Sequence, residues 1–216
     1  MKLNSILLVA SLALVACQSE ITDKPAAAVS ETTATTSTTA TEPAPGAVTT
    51  NVIKESSSIR FVGAKVTGDH KGQFKSFDGS VDYVQGKPQR VSFSIDLSSV
   101  ETDAPKLDAH LKSPDFFDVA QFPRATFTST SLTEAPAGSP AGTTHLLNGT
   151  LDMHGVKKDI SIPVKTQQTA NGVRTTSEFT INRHDWGISY KGMADDLIKD
   201  TVLIQLDLSF PPPPAA

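Results

Sequence analysis

The chain of 216 residues is poor in the residues that make specialised chemistry easy to recognise: it has one cysteine, Cys17, one tryptophan and two tyrosines. A single cysteine cannot close an intrachain disulfide, and it cannot build a zinc ribbon, an iron–sulfur cluster or a Cys-X-X-Cys redox pair. Positive charge is not in excess either, since 19 Lys+Arg stand against 23 Asp+Glu. Without a basic balance a surface cannot neutralise a run of phosphates, which excludes general nucleic-acid binding. No Gly-X-Ser-X-Gly elbow occurs, and no glycine-rich phosphate loop precedes a helix. The five histidines (His70, His110, His145, His154 and His184) form no His-X-His pair and no His-Glu-X-X-His helix. We therefore expect no catalytic residues, no metal ligands and no required cofactor. His110 beside Asp108, and His184 beside Asp185, are the best metal candidates.

No apolar run is long enough to cross a bilayer as a helix, which takes about 20 residues. The longest, Ile6 to Val15, covers ten residues and is interrupted only by Ser11. Preceded by Lys2, it reads as the apolar region of a signal peptide over 1–16. The ending Leu14-Val15-Ala16-Cys17 resembles the bacterial lipobox, in which the cysteine becomes the lipidated first residue of the mature protein. That resemblance implies anchoring in the bacterial cell envelope through Cys17, since acyl chains contribute about 0.8 kcal/mol for each buried methylene. In the bacterial lipoproteins this ending resembles, a Gln such as Gln18 after the cysteine implies the outer membrane, facing the periplasm. Residues 17–50 then run through Thr, Ala, Ser and Pro without one aromatic side chain. So little apolar area cannot offset chain entropy, and the segment reads as a disordered tether. As a free coil of about 33 residues it would hold the rest roughly 30 Å from the membrane.

What is present beyond residue 50 is alternation. Only Lys2 and Lys24, with Glu20, Asp23, Glu31 and Glu42, fall before it, leaving 17 basic and 19 acidic residues in a nearly neutral remainder. Val91, Phe93, Ile95 and Leu97 interleave with polar residues. Ile160, Ile162 and Val164 do the same, and so do Val202, Ile204, Leu206, Leu208 and Phe210, where Leu203 alone breaks the polar face. Period-two patterns mark strands with one buried face. Further strands are predicted at about 58–67, 73–84, 124–132, 144–153 and 173–182, with hairpin turns at His154-Gly155 and Asn171-Gly172. These eight antiparallel strands must hide their apolar face by closing into a barrel or packing as a sandwich. Residues 103–112 are the single short helix: Asp103 caps it, Pro105 suits its first turn, Leu107 and Leu111 share a face, and Asp108 and Lys112 form an exposed pair. Phe116 and Phe117 come directly after it and fold it back over one mouth. Phe210 ends the domain, 51–211, and a proline-rich tail occupies 212–216.

Several segments together resemble the YceI-like family of bacterial lipid-binding proteins. They are Gly72-Gln73-Phe74 with Phe77-Asp78-Gly79, Ser99 to Asp103, Leu107 to Asp118 with Phe122-Pro123, Asn148 to Val156, and Asn182 to Gly187. The resemblance implies an all-β, lipocalin-like, eight-stranded antiparallel barrel with one short helical insertion. It also implies an apolar pore that takes an isoprenoid lipid or quinone-like chain. Eight strands leave an interior that side chains either fill or yield to one slender ligand, in a tube roughly 25 Å tall.

The inward register, and hence the predicted lipid-binding set, is Phe61, Phe77, Val81, Tyr83, Phe93, Ile95, Phe127, Leu151, Met153, Ile160, Ile162, Phe179, Ile181, Ile204 and Leu206, with Trp186 at the mouth. Gly63 and Gly79 share that register and remove volume where a chain could pass. Arg183 and Trp186 either hold a ligand's polar head or seal the barrel end, with Arg183 paired to Asp185. On these residues the chain binds and sequesters or shuttles an apolar lipid in the envelope and is not an enzyme. Its partners are that lipid and the membrane, with a homodimer left open. The alternatives are a ligand-free surface-displayed interaction or adhesion module, or a metal site or enzyme at the barrel mouth.

Overall fold

The computed structural model describes residues 20–32, 44–193 and 196–215. The predicted signal peptide, Cys17 and the centre of the predicted tether lie outside the described residues. In chain order the elements are β1 (Ala28–Glu31), β2 (Val48–Asn51), β3 (Ser58–Lys65), β4 (Gly68–Phe74), β5 (Phe77–Val84), β6 (Lys87–Asp96), β7 (Val100–Thr102), α1 (Pro105–Lys112), β8 (Arg124–Glu134), β9 (His145–Met153), β10 (Val156–Thr169), β11 (Gly172–Asn182), β12 (Gly192–Met193) and β13 (Asp196–Phe210). The all-β reading with one helix holds.

The strands form one sheet in the order β2-β5-β6-β8-β9-β10-β11-β13-β3-β4-β7, with β1 added to β10 and β12 to β13. Named pairings are antiparallel throughout. The chain joins the two ends of that path, because β4 runs into β5 across 75–76 and β6 into β7 across the 97–99 turn. The sheet is therefore curled and barrel-like, with its apolar face inside.

Among the described residues the count of eight strands is corrected to thirteen segments. The predicted strand 73–84 is two strands meeting at a corner. There the Lys75 N–H donates to Ser99 O at 3.2 Å and the Asp96 N–H to Ser76 O at 3.0 Å, so the pairing partner changes from β7 to β6. His154-Gly155 makes the expected tight turn, with both residues at positive φ and Met153 facing Val156 across it. The other hairpin is displaced by one residue: Thr169 pairs with Gly172, so Ala170-Asn171 form the turn.

The tether reading is corrected where the chain is described. Residues 20–31 lie along the wall, and β2 adds to β5. β10 pairs with β11 only over 165–169, then splays from it, which leaves main-chain groups on both strands. The N-terminal segment fills that gap. Pro25 O accepts from Thr180 N at 2.9 Å, the Ala27 N–H donates to Thr180 O at 2.9 Å, and β1 pairs with 158–161. Main-chain ladders need no apolar side-chain pattern, so composition gave no sign of it. β2 is fastened through buried Asp82, which accepts from Thr49 Oγ1 at 2.7 Å and from Arg90 Nε at 2.9 Å.

Candidate functional site

Inward side chains leave two apolar cavities, of about 280 Å³ and 200 Å³. Phe74, Met153, Ile181 and Ile204 line both, and so form a waist between two chambers. The larger chamber lies beneath α1 and is lined by Phe61, Gly63, Leu107, Leu111, Phe116, Phe117, Ile188 and Val202 among others. Lys65, His70, Arg183 and Lys199 are its titratable lining residues. The smaller chamber extends toward the β5–β6 end, past Phe93, Ile95, Phe127, Ile160, Ile162 and Phe179 to Tyr83 and Phe210. Burial pushes the Tyr83 phenol up, partly offset by its hydrogen bond with Thr50, so it is a neutral group at that end.

Of the predicted set, all but Phe77 and Trp186 line one chamber or both. Phe77 packs instead with Val52, Ile59 and Leu208 at the corner where β4 becomes β5. Trp186 is fully buried in the main core cluster with Met153, Ile181 and Ile188 and lines neither chamber, and its Nε1–H donates to Leu151 O at 3.2 Å. The reason is local. The chain leaves β11 in a 3₁₀ turn over 183–186, capped by Asn182 and ended by Gly187 in the left-handed conformation, so no strand continues to present Trp186 to the lumen.

Arg183 is also rebuilt by that turn. Its guanidinium donates to Ile188 O at 2.7 Å and Lys199 O at 3.2 Å and pairs with Asp200 at 3.3 Å, not with Asp185. Desolvation lowers its pKa from the usual arginine value, opposed by the Asp200 charge. Sequence reasoning missed Ile59 and Val202, which one more step of the same alternation reaches from Phe61 and Ile204, and Phe74 and Ile188, which it does not reach.

Gly63 behaves as expected, since a Cβ there would meet nothing within 4 Å. Gly79 does not. A Cβ there would stand 2.2 Å from the ring of its cross-strand partner Phe93, so the ring occupies the volume that the glycine gives up. Gly72 beneath Phe61 and Gly149 beneath Phe127 repeat the arrangement. Each aromatic ring leans across a neighbouring strand instead of projecting toward the axis.

The cover over the larger chamber is built by α1 and the aromatic turn at its C-terminal end. The Phe117 N–H donates to Leu111 O at 3.0 Å, which brings Phe116 and Phe117 back under the helix. His110, Phe116 and Tyr190 pack as a trio with ring centroids 4.9–5.3 Å apart. The helix cap is not the one predicted. Ala104 occupies the N-cap, and Asp103 instead accepts from Lys71 N at 3.0 Å and bonds His70 Nδ1 at 2.8 Å. The Lys71 N–H, chiefly, holds the Asp103 carboxyl below the usual carboxylate range, against partial desolvation and with help from His70. Asp108 reaches back to Thr102 N at 2.7 Å, in place of the pair expected with Lys112. Both metal candidates have protein partners, His110 with Asp115 at 2.9 Å and His184 with Asp200 at 3.2 Å. Among the described residues no three His, Cys, Asp or Glu side chains gather where they could hold a metal ion.

A curled antiparallel sheet around a divided apolar lumen, covered by one helix, defines an all-β, barrel-like fold. Residues 51–210 match the YceI-like domain, and the chain belongs to that family. Protein YceI from Salmonella arizonae and from Salmonella newport are each 36 % identical to it over 96 residues, which cover 44 % of this chain and 47 % of theirs. The match thus spans about half the length of these curated relatives. Among solved structures, BcnA of Burkholderia cenocepacia superposes with a TM-score of 0.63 at 22 % identity, over 73 % of this chain and 98 % of that one. A polyisoprenoid binding domain from Saccharophagus degradans gives 0.61 at 21 %, over 76 % and 98 %. At these identities the likeness is one of fold.

Proposed function

We propose that this protein binds one long apolar chain, of the polyisoprenoid or isoprenoid-quinone class, and sequesters or shuttles it in the bacterial cell envelope. The observation that carries the reading is the pair of apolar chambers meeting at a waist. Each alone is smaller than the about 300–1,000 Å³ of ordinary small-molecule sites, whereas the two joined fall within it. One waist residue makes the junction adjustable, because the unbranched Met153 side chain re-routes readily. Binding would draw about 25 cal/mol from each Å² of ligand surface removed from water, and no bond is made or broken. The solved Saccharophagus degradans neighbour is described as polyisoprenoid-binding, which supports the same ligand class here. The predicted lipobox supports an envelope location, with Cys17 as the anchor and the outer membrane as the site.

Native mass spectrometry of the full chain, with solvent extraction of whatever copurifies, tests the proposal. One long apolar chain per protein, or stoichiometric uptake of an added prenyl lipid, is the expected result. A barrel that carries nothing and ignores added prenyl lipids would instead leave the surface-display reading.

A further inference from the structure

We infer that Tyr83 and Phe210 form the floor of the lumen and set the longest apolar chain it accepts. Both stand at the end of the barrel away from α1. Tyr83 comes two residues before the β5–β6 turn at Gln85-Gly86 and faces Val48 of β2 and Pro88 of β6. Phe210 is the last residue of β13 and faces Val173, just after the β10–β11 turn. Side chains so close to a turn usually reach solvent. These two rings are only 5 % exposed, and both line the smaller chamber. Each therefore turns over the end of that chamber rather than away from it.

Both rings are braced. The Tyr83 hydroxyl is hydrogen-bonded with Thr50 in β2, and the neighbouring Asp82 fastens the same strand through Thr49. Phe210 packs edge to face on Phe93, with centroids 6.4 Å apart, and Phe93 in turn lies over Gly79. The main chain beneath Phe210 is held as well: the Ile53 N–H donates to Ser209 O at 2.8 Å, and the Ser209 N–H to Ser57 Oγ at 2.9 Å. The two ends of the lumen thus differ. A helix and an aromatic turn cover the larger chamber, whereas rings rooted in paired strands end the smaller one. A chain threaded from the α1 end through the waist gains buried surface until it meets Tyr83 and Phe210. Any further methylene must overpack the floor or stay in water, a loss of about tenfold or more in affinity.

The inference rests on the lipid-carrier reading and is tested by comparing chain lengths. The full chain and its Phe210→Leu, Tyr83→Leu and Ile181→Val variants would each be offered an equimolar mixture of farnesol, geranylgeraniol and solanesol. Native mass spectrometry then counts the alcohols bound. Phe210→Leu and Tyr83→Leu should each raise the ratio of longer to shorter bound alcohol about tenfold over the parent chain. Ile181→Val widens the waist and not the floor, so it should change uptake of all three in the same proportion. Floor variants that keep the parent ratio, or a shift of equal size in Ile181→Val, would overturn the inference. Should Phe210→Leu fail to fold, Tyr83→Leu decides alone. A parent chain that binds the three alcohols without regard to length counts against the floor alone. A parent chain that binds none of them overturns the carrier reading, and the floor with it.

Discussion

Leu203 is fully buried although it stands on the outward side of β13, and Ile21 from the N-terminal segment is what covers it. Val62, its cross-strand partner in β3, shares the same cover. The one apolar residue that breaks the polar face of β13 over 201–210 thus marks where the chain's own leading segment docks.

Ile21→Asp should release that segment. Removing one isoleucine's burial costs about 1.5–3 kcal/mol, read as a lower urea midpoint, and the amides of 26–31 should exchange faster with solvent deuterium. Leu203→Ala, beneath it, should cost about 2–5 kcal/mol. An unchanged midpoint together with unchanged exchange of the 26–31 amides in the Ile21→Asp chain would show that the segment is not held there.

Acid should loosen the same segment. The Lys24 ammonium, chiefly, holds the Glu178 carboxyl below its ordinary value, against desolvation and with Gln205 and Arg60 acting the same way. A depressed folded-state pKa contributes stability that is present above the unfolded value, near 4.3, and is lost as pH falls through the folded one. Asp207, lowered by Arg174, titrates in the same sense between β11 and β13. Hydrogen exchange should therefore show amides of 26–31 losing protection below about pH 4. Glu178→Gln should remove most of that dependence, and a parent chain equally protected at both pH values would refute it.

Gly63 and Gly79 should respond oppositely to a side chain. Gly63→Leu points into open lumen, so thermal stability should hold while prenyl-lipid uptake measured by native mass spectrometry falls. Gly79→Ala drives a methyl into the Phe93 ring and should cost about 1–3 kcal/mol by overpacking. Equal uptake by Gly63→Leu and the parent chain would place the ligand elsewhere.

Trp186→Phe tests core against mouth. It deletes the bond to Leu151 O and part of a fully buried ring, a loss of about 1–3 kcal/mol in denaturant unfolding, and it should leave ligand uptake as it was. A selective loss of uptake would restore Trp186 to the lumen.

The legible parts of this protein are those governed by side-chain period. β8, β9, β11 and most of β13 lie close to where alternation put them, and the inward register of Phe93, Ile95, Phe127, Ile160, Ile162, Phe179 and Ile204 was readable from the same rule. The corner at 75–76 was not readable, since alternation continues through a strand whose partners change. Nor was the N-terminal segment, because Pro25, Ala27 and Ala28–Glu31 are held by main-chain bonds that any sequence offers. Trp186 and Arg183 were misplaced for a related reason: a 3₁₀ turn abolishes the two-residue period on which their assignment depended.

By itself the order of residues determined which side chains face inward, because a strand's faces repeat every two residues and a one-residue slip would turn the whole apolar set into water. It could not determine whether those side chains meet. That depended on how tightly the sheet curls, on rings such as Phe61 and Phe93 leaning over glycines of the adjacent strand, and on α1 with Phe116 and Phe117 covering one chamber. A void is a property of distances across the axis between residues far apart in the chain, and only the folded arrangement sets those distances.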